Sequence, residues 1–310
     1  MSVVLLAGGV GGAKLAHGLQ AHLGAELTVI VNTGDDFERH GLSVCPDHDT
    51  VMYTLAGIDN RDLGWGIAGE TFAAAEMLAR YGEETWFRLG DRDLATHVVR
   101  TAAVRSGQRH TEVARRLQVS LGVVATILPM TDDEVRTDVL TDDGWLEFQD
   151  YFVRQQQAPT VTDIRFRGAS DAGPTPEVIA AFASAERIIV APSNPLVSVG
   201  PILAVPGVMD AIQAARDRGV RVTAVSGIVS GKALKGPADR MLGSLGHAVS
   251  AVGVARLYAP WVDRFVLDSS DAHLADAVAE LGPIPIVTDT IMSDDDARAR
   301  LAAELLALDL

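Results

Sequence analysis

The chain opens on an unbroken apolar run, Val3-Val4-Leu5-Leu6-Ala7, and passes at once into Gly8-Gly9-Val10-Gly11-Gly12-Ala13-Lys14. A helical spacing of Leu15, Leu19 and Leu23 follows. Glycines let a backbone take positive φ and come close to a ligand. A helix start beyond them offers N–H groups and a positive dipole to an anion, and Lys14 adds a formal charge in the first turn. The segment therefore reads as a phosphate-binding loop between a strand and a helix. It departs from the dinucleotide pattern G-x-G-x-x-G, because Lys14 stands where the third glycine belongs, and this disfavours an NAD-dependent oxidoreductase. It departs from the Walker loop as well, since Ala13-Lys14-Leu15 is not Gly-Lys-Ser/Thr.

Further strand-like runs recur at Leu27–Asn32, Gly122–Leu128, Arg187–Ala191, Val220–Ser226, Arg264–Leu267 and Ile284–Thr288. Helical patterns separate many of them, at Glu70–Tyr81, Ala95–Arg105, Thr111–Leu117 and Pro206–Arg218, with Asp294–Leu306 near the end. This alternation predicts an α/β fold, a Rossmann-like and mostly parallel sheet with helices on both faces. The first two strands and the helix between them form a βαβ unit with a right-handed crossover. Period-two alternation in Val135–Leu140 and Trp145–Phe152, around Thr141-Asp142-Asp143-Gly144, predicts a hairpin. With Ile164–Arg167 it forms a small antiparallel insertion near residues 130–168 of a single domain spanning 1–310.

The net charge of −15 argues against nucleic acid, which needs clustered Lys and Arg. No apolar run reaches membrane-spanning length and no signal sequence is visible, so a cytoplasmic protein is expected. The single cysteine, Cys45, excludes an internal disulfide and reads as a small buried filler. An acidic protein that holds phosphates must offset repulsion locally, through backbone amides, a few placed cations or a divalent metal.

Several clusters fall at strand ends, where an open α/β sheet forms its ligand crevice. Asn32-Thr33-Gly34-Asp35-Asp36 suits either ligand or metal contact, or a tight turn. Pro46-Asp47-His48-Asp49-Thr50 places two carboxylates beside a predicted helix, where they serve as caps, as ligands to a hard cation or as a proton acceptor. His48 has no second histidine at ligand spacing. Arg88, Arg92, His97 and Arg100 read as scaffold ion pairs or as a clamp for an acidic substrate. Pro192-Ser193-Asn194-Pro195 forms a rigid loop after a buried strand. Ser226–Pro237, with Lys232 and Lys235, suggests a second anion-binding loop.

Taken in order, these motifs, together with Leu89-Gly90-Asp91-Arg92-Asp93, Ala95-Thr96-His97 and Ser198-Val199-Gly200-Pro201-Ile202, resemble the 2-phospho-L-lactate and phosphoenolpyruvate transferases of coenzyme F420 biosynthesis. The likeness runs from the N-terminus to about Pro237. It implies an Mg²⁺-dependent phospho-group transferase that moves a phosphoenolpyruvyl or 2-phospholactyl group from a guanosine diphosphate ester to Fo (7,8-didemethyl-8-hydroxy-5-deazariboflavin). The ribityl hydroxyl of Fo displaces GMP and gives dehydro coenzyme F420-0 or its saturated form. By the resemblance, Asp49 and Arg88 contact Fo; Asp91 and His97 are expected beside them, and Asp49 is expected to be catalytic by orienting or deprotonating the hydroxyl. The resemblance sets Gly9, Gly11, Gly12, Lys14, Ser193, Asn194 and Pro195 beside the nucleotide, and the paired carboxylates of Asp47 and Asp49 are expected to hold Mg²⁺. His48 stands where a leucine is expected between the aspartates. The partners implied are small molecules and a second copy of the chain in a homodimer. A second reading on the same fold is a non-catalytic nucleotide-sugar-binding regulator of metabolism. The Pro46–Thr50 and Leu89–Asp93 motifs favour the transferase.

Overall fold

The computed structural model describes residues 1–308. Its centre is a seven-stranded sheet in the order Ile284–Thr288, Arg264–Asp268, Arg221–Val225, Arg187–Val190, Val3–Ala7, Leu27–Val31, Thr126–Pro129. Every neighbouring pair in it is parallel. Counted along the chain this is the doubly wound order 3-2-1-4-5-6 with one more strand at the far edge. The build direction reverses between Val3–Ala7 and Arg187–Val190, so a crevice opens at their carboxyl ends.

Side chains of the first strand alternate between two apolar layers. Val4 and Leu6 pack with Ile188, Val190 and Val222 beneath the helices Pro176–Ser184 and Val208–Asp217. Val3, Leu5 and Ala7 pack beneath Gly9–Leu23, Pro46–Leu55 and Asp295–Ala307. Both faces are thus buried, as a parallel sheet requires. Two of these helices touch backbone to backbone at Gly18, where a methyl group would overlap the Arg298 carbonyl. No single helix among the described residues is long and apolar enough to cross a membrane. The bent pair Pro195–Ala204 and Val208–Asp217 has a suitable composition, but Val199, Ile202, Val208 and Ile212 are buried in the core.

The expected insertion is a three-stranded antiparallel sheet of Gly144–Glu147, Arg136–Thr141 and Asp163–Arg167. Its second strand stops at Glu147 rather than Phe152. Phe148 and Tyr151 must both reach the apolar cluster of Val139, Val197 and Met241, so the chain winds into a wide helical turn, Asp150–Arg154. The strand expected from Gly122 begins at Thr126, because Gly122 (φ +74°) terminates the preceding helix His110–Ser120.

The helices expected at Glu70 and Ala95 start at Ala73 and Asp91. The reason is a reciprocal cap. The Glu70 carboxylate accepts from the N–H of Arg92 and Asp93, both at 2.8 Å. The Asp91 carboxylate accepts from Ala73 and Ala74 N–H, each at 3.0 Å. Each acid satisfies free donors at the start of the other helix.

Candidate functional site

A cavity of about 480 Å³ lies at the switch point of the sheet. One wall is the turn after the first strand. Here the glycines are tighter than a loop: only Gly8 precedes the helix Gly9–Leu23, and Gly9 sits at φ +64°. Gly11 and Gly12 lie within the first helical turn, and their missing side chains admit the loop after Val190. A methyl at Gly11 would overlap the Pro192 carbonyl, and one at Gly12 would stand 2.9 Å from Ser193 Oγ. Lys14 consequently projects from the second turn.

The first N–H groups of this helix divide into two sets. Gly8 N–H donates to Ser193 Oγ at 3.1 Å, and Ser193 Oγ–H donates back to the Gly8 carbonyl at 2.7 Å. Gly9 N–H donates to Asp47 Oδ1 at 2.6 Å. Val10 and Gly11 line the cavity, and their N–H groups have no intrahelical acceptor by position, which leaves them for an anion. Asn194, also at the cavity, spends its Oδ1 on the N–H of Leu196 at 2.9 Å; Pro195 follows it as the first residue of that turn.

Opposite stand two carboxylates. Asn32, fully buried, donates through Nδ2 to Asp35 Oδ1 at 2.7 Å and to Asp47 Oδ2 at 2.9 Å. Gln149 of the insertion donates to Asp35 Oδ2 at 3.2 Å. Burial raises the pKa of Asp47 to about 6, against the opposing effect of its bonds from Asn32 and Gly9. Burial and the neighbouring charge of Asp47 push Asp35 well above the usual carboxylate range. Two desolvated acids held at one amide and facing a cavity form a hard-oxygen donor set whose repulsion a divalent cation would relieve.

Asp47 and Asp49 are not brought together. Two residues apart on a helix, side chains diverge by about 200°. Asp49 lies on the far side from the cavity, where Arg100 grips both of its oxygens, Nη1 to Oδ2 at 3.0 Å and Nη2 to Oδ1. Burial alone would raise Asp49; Arg100, His48 and His97 hold it below the ordinary range instead. His97 is buried as well, with Nδ1 at 3.2 Å from Arg100 and Nε2 at 3.3 Å from Asp93. Tyr53 O–H donates to Asp93 at 2.7 Å. Ligand atoms of Asp49, Asp93 and His97 fall within 4.8 Å of one another, but the guanidinium already supplies the positive charge there. This is a buried knot tying the helices Pro46–Leu55 and Asp91–Arg105.

Of the residues expected at an acceptor, Arg88 alone lines the cavity. Its guanidinium stacks on Phe72 at 4.1 Å, and it makes no ion pair among the described residues. Asp91 serves the reciprocal cap. Asp36 turns into a separate cavity of about 140 Å³ with Cys45 and His48, where burial raises its pKa to about 7. Burial also raises the Cys45 thiol, making it a poor nucleophile.

The remaining wall is aromatic, and sequence reasoning missed it. Trp65, Trp86, Phe87, Phe148 and Phe152 all face the cavity. Trp86 and Phe87 meet edge to face at 6.0 Å, and Phe148 stacks on Phe152 at 5.5 Å. The adjacency Trp86-Phe87-Arg88 was the available signal, in a chain with only 5% aromatic residues.

Together these features define a doubly wound α/β protein whose crevice offers backbone donors to an anion, paired acids, and a flat apolar wall. The 2-phospho-L-lactate transferase family model, CofD, matches residues 3–305, and the chain belongs to that family of F420-biosynthesis transferases. It is 43% identical over 315 residues to a phosphoenolpyruvate transferase of Streptomyces coelicolor, covering 99% of this chain and 98% of that one. It is 36% identical over 301 residues to a 2-phospho-L-lactate transferase of Methanosarcina mazei, covering 97% and 98%. Among solved structures, protein BH3568 of Bacillus halodurans superposes with a TM-score of 0.62 at 16% identity, over 98% of this chain and 99% of that one, a likeness of fold.

Proposed function

We propose that the cavity binds a guanosine diphosphate ester along the glycine turn and Fo against the aromatic wall, and joins them. The oxygen of the ribityl hydroxyl attacks the phosphorus that carries the acid, and the bond from that phosphorus to the GMP oxygen breaks. A phosphodiester forms, GMP departs, and the hydroxyl proton is released. The observation that carries this reading is the convergence on one cavity of Val10 and Gly11 N–H groups, the Asp35–Asp47 pair and five aromatic rings.

Phosphoryl transfer depends mainly on in-line positioning and neutralised oxygens. The Val10 and Gly11 amides would hold the phosphate that leaves with the nucleoside. Arg88, unpaired and set beside Trp86 and Phe87, would orient the acceptor. Asp35 and Asp47 would hold Mg²⁺, which supplies charge neutralisation at the diphosphate oxygens. Asp49 acts in this reading as a positioning residue, because its carboxylate is occupied by Arg100 and fixes the helix that presents Asp47 and Thr50. Enolpyruvate is the favoured acid, since the relative named for it is 43% identical and the one named for phospholactate 36%.

A titration of Fo fluorescence, followed by product mass with enolpyruvyl and lactyl guanosine diphosphate esters, tests the reading. Saturable Fo binding and a phosphodiester product are expected. Absence of Fo binding would favour the regulator instead. Light scattering tests the homodimer.

A further inference from the structure

The main cavity shares Val10, Thr50, Gly64, Trp65 and Lys235 with a second lobe of about 150 Å³. The inner wall of this lobe is cationic, with Lys14 and Arg298 facing Lys235. Arg298 is 4% exposed; its Nη1 pairs with Asp295 at 3.1 Å, while its Nε has no hydrogen-bond partner. Lys14 Nζ donates to the Met292 carbonyl at 2.9 Å, which leaves two of its three protons. Lys235 lies over Gly64 and makes no ion pair among the described residues. Arg61, also in the lobe, is answered by Asp59 and Asp295. Burial, then Arg298 and Lys235, lower the pKa of Lys14, and among the described residues the four cations Lys14, Arg61, Lys235 and Arg298 share only Asp59 and Asp295 between them. In a chain of net charge −15, such a cluster calls for an anionic guest.

We propose that this lobe binds the carboxylate of the acid being transferred, through Lys14, Lys235 and Arg298. The proposal rests on the donor reading above and extends it. Val10 lines both spaces, so with the GMP phosphate on the amides at Val10 and Gly11, the next phosphate and the acid it carries reach the mouth of the lobe. Lys14 then reads the acid rather than the GMP phosphate. Every acid considered for the donor carries a carboxylate, so the lobe recognises the class, and the choice between enolpyruvate and lactate is made elsewhere.

The test compares two probes on the whole protein, GDP and enolpyruvyl guanosine diphosphate, by calorimetry. Lys235→Met and Lys14→Gln should each weaken the ester at least tenfold, as the loss of a charge-assisted hydrogen bond implies, and change GDP affinity less than twofold. Lys235 is exposed, so its replacement leaves the fold intact. Equal weakening of GDP and ester would overturn the lobe assignment and place these cations on the diphosphate. Unchanged ester affinity in both variants would overturn it also. Failure of the unmodified protein to bind either nucleotide would sink the donor reading itself, and the lobe proposal with it.

Discussion

The ion pair of Asp49 and Arg100 gives the sharpest prediction. Their side chains are 6% and 4% exposed, and two oxygens meet two guanidinium nitrogens. An exposed pair would contribute at most about 1 kcal/mol. Here, replacing Arg100 with Met leaves a buried carboxylate without its countercharge, which costs about 3–5 kcal/mol. Unfolding entropy near 2.1 cal/mol/K per residue gives roughly 0.65 kcal/mol/K for 310 residues, so the melting temperature should fall by about 5–8 °C. Calorimetric scans and urea titrations would measure it. The Asp49→Asn/Arg100→Met double variant should recover at least about 2 kcal/mol relative to the sum of the singles. Acid supplies an independent check. With Arg100 gone, burial raises the folded-state pKa of Asp49 above its unfolded value, so protonation favours the fold and the deficit narrows as pH falls. A loss below about 1 kcal/mol, or strict additivity, would refute the view of this pair as a buried clasp.

Three further outcomes follow from the geometry. Gly18→Ala should destabilise the protein by about 1–3 kcal/mol by forcing apart two helices that touch at the Arg298 carbonyl, with Fo affinity of the folded protein unchanged; denaturant titration beside Fo titration separates the two. Gly11→Ala should weaken GDP at least tenfold, because the added methyl displaces the Pro192 carbonyl and misdirects the neighbouring amides; calorimetry reads it, and unchanged affinity would remove the turn from the nucleotide site. Asp268 accepts from Ser270 N–H at 2.9 Å and Thr290 N–H at 2.8 Å; these bonds prevail over burial and lower its pKa from the ordinary 3.8. Since the folded-state pKa lies below the unfolded one, this stabilisation is present at neutral pH and fades as pH falls from about 4 through the folded value. Asp268→Asn should therefore cost about 2 kcal/mol at pH 7, and progressively less in acid unfolding curves.

The sheet was legible because its strands are short apolar runs punctuated by turn residues. Val3–Ala7 and Ile284–Thr288 fall where the pattern places them. Boundaries shifted where a distant partner took over a residue, as when Glu70 and Asp91 left their expected places to cap each other's helices. The glycine turn was legible as well, though not the cause of its glycines: Gly11 and Gly12 answer to the Pro192–Ser193 loop, about 180 positions further along the chain. The alternation of Asp47 and Asp49 suggested a shared ion, yet helix geometry sends the two to opposite sides. The aromatic wall comes from three separate segments without any common period, so only the folded chain assembles it.

The two edges of the crevice, Gly8 and Ser193, bond directly while standing 185 positions apart in the chain. Closing so long a loop is entropically unfavourable and belongs late in folding. During synthesis the glycine turn and its strand emerge early, but they must wait for the fourth strand of the main sheet to leave the ribosome before the crevice has both edges. A chain that ends before Arg187 presents half a crevice, so any ligand that bridges both edges would stabilise only the finished chain.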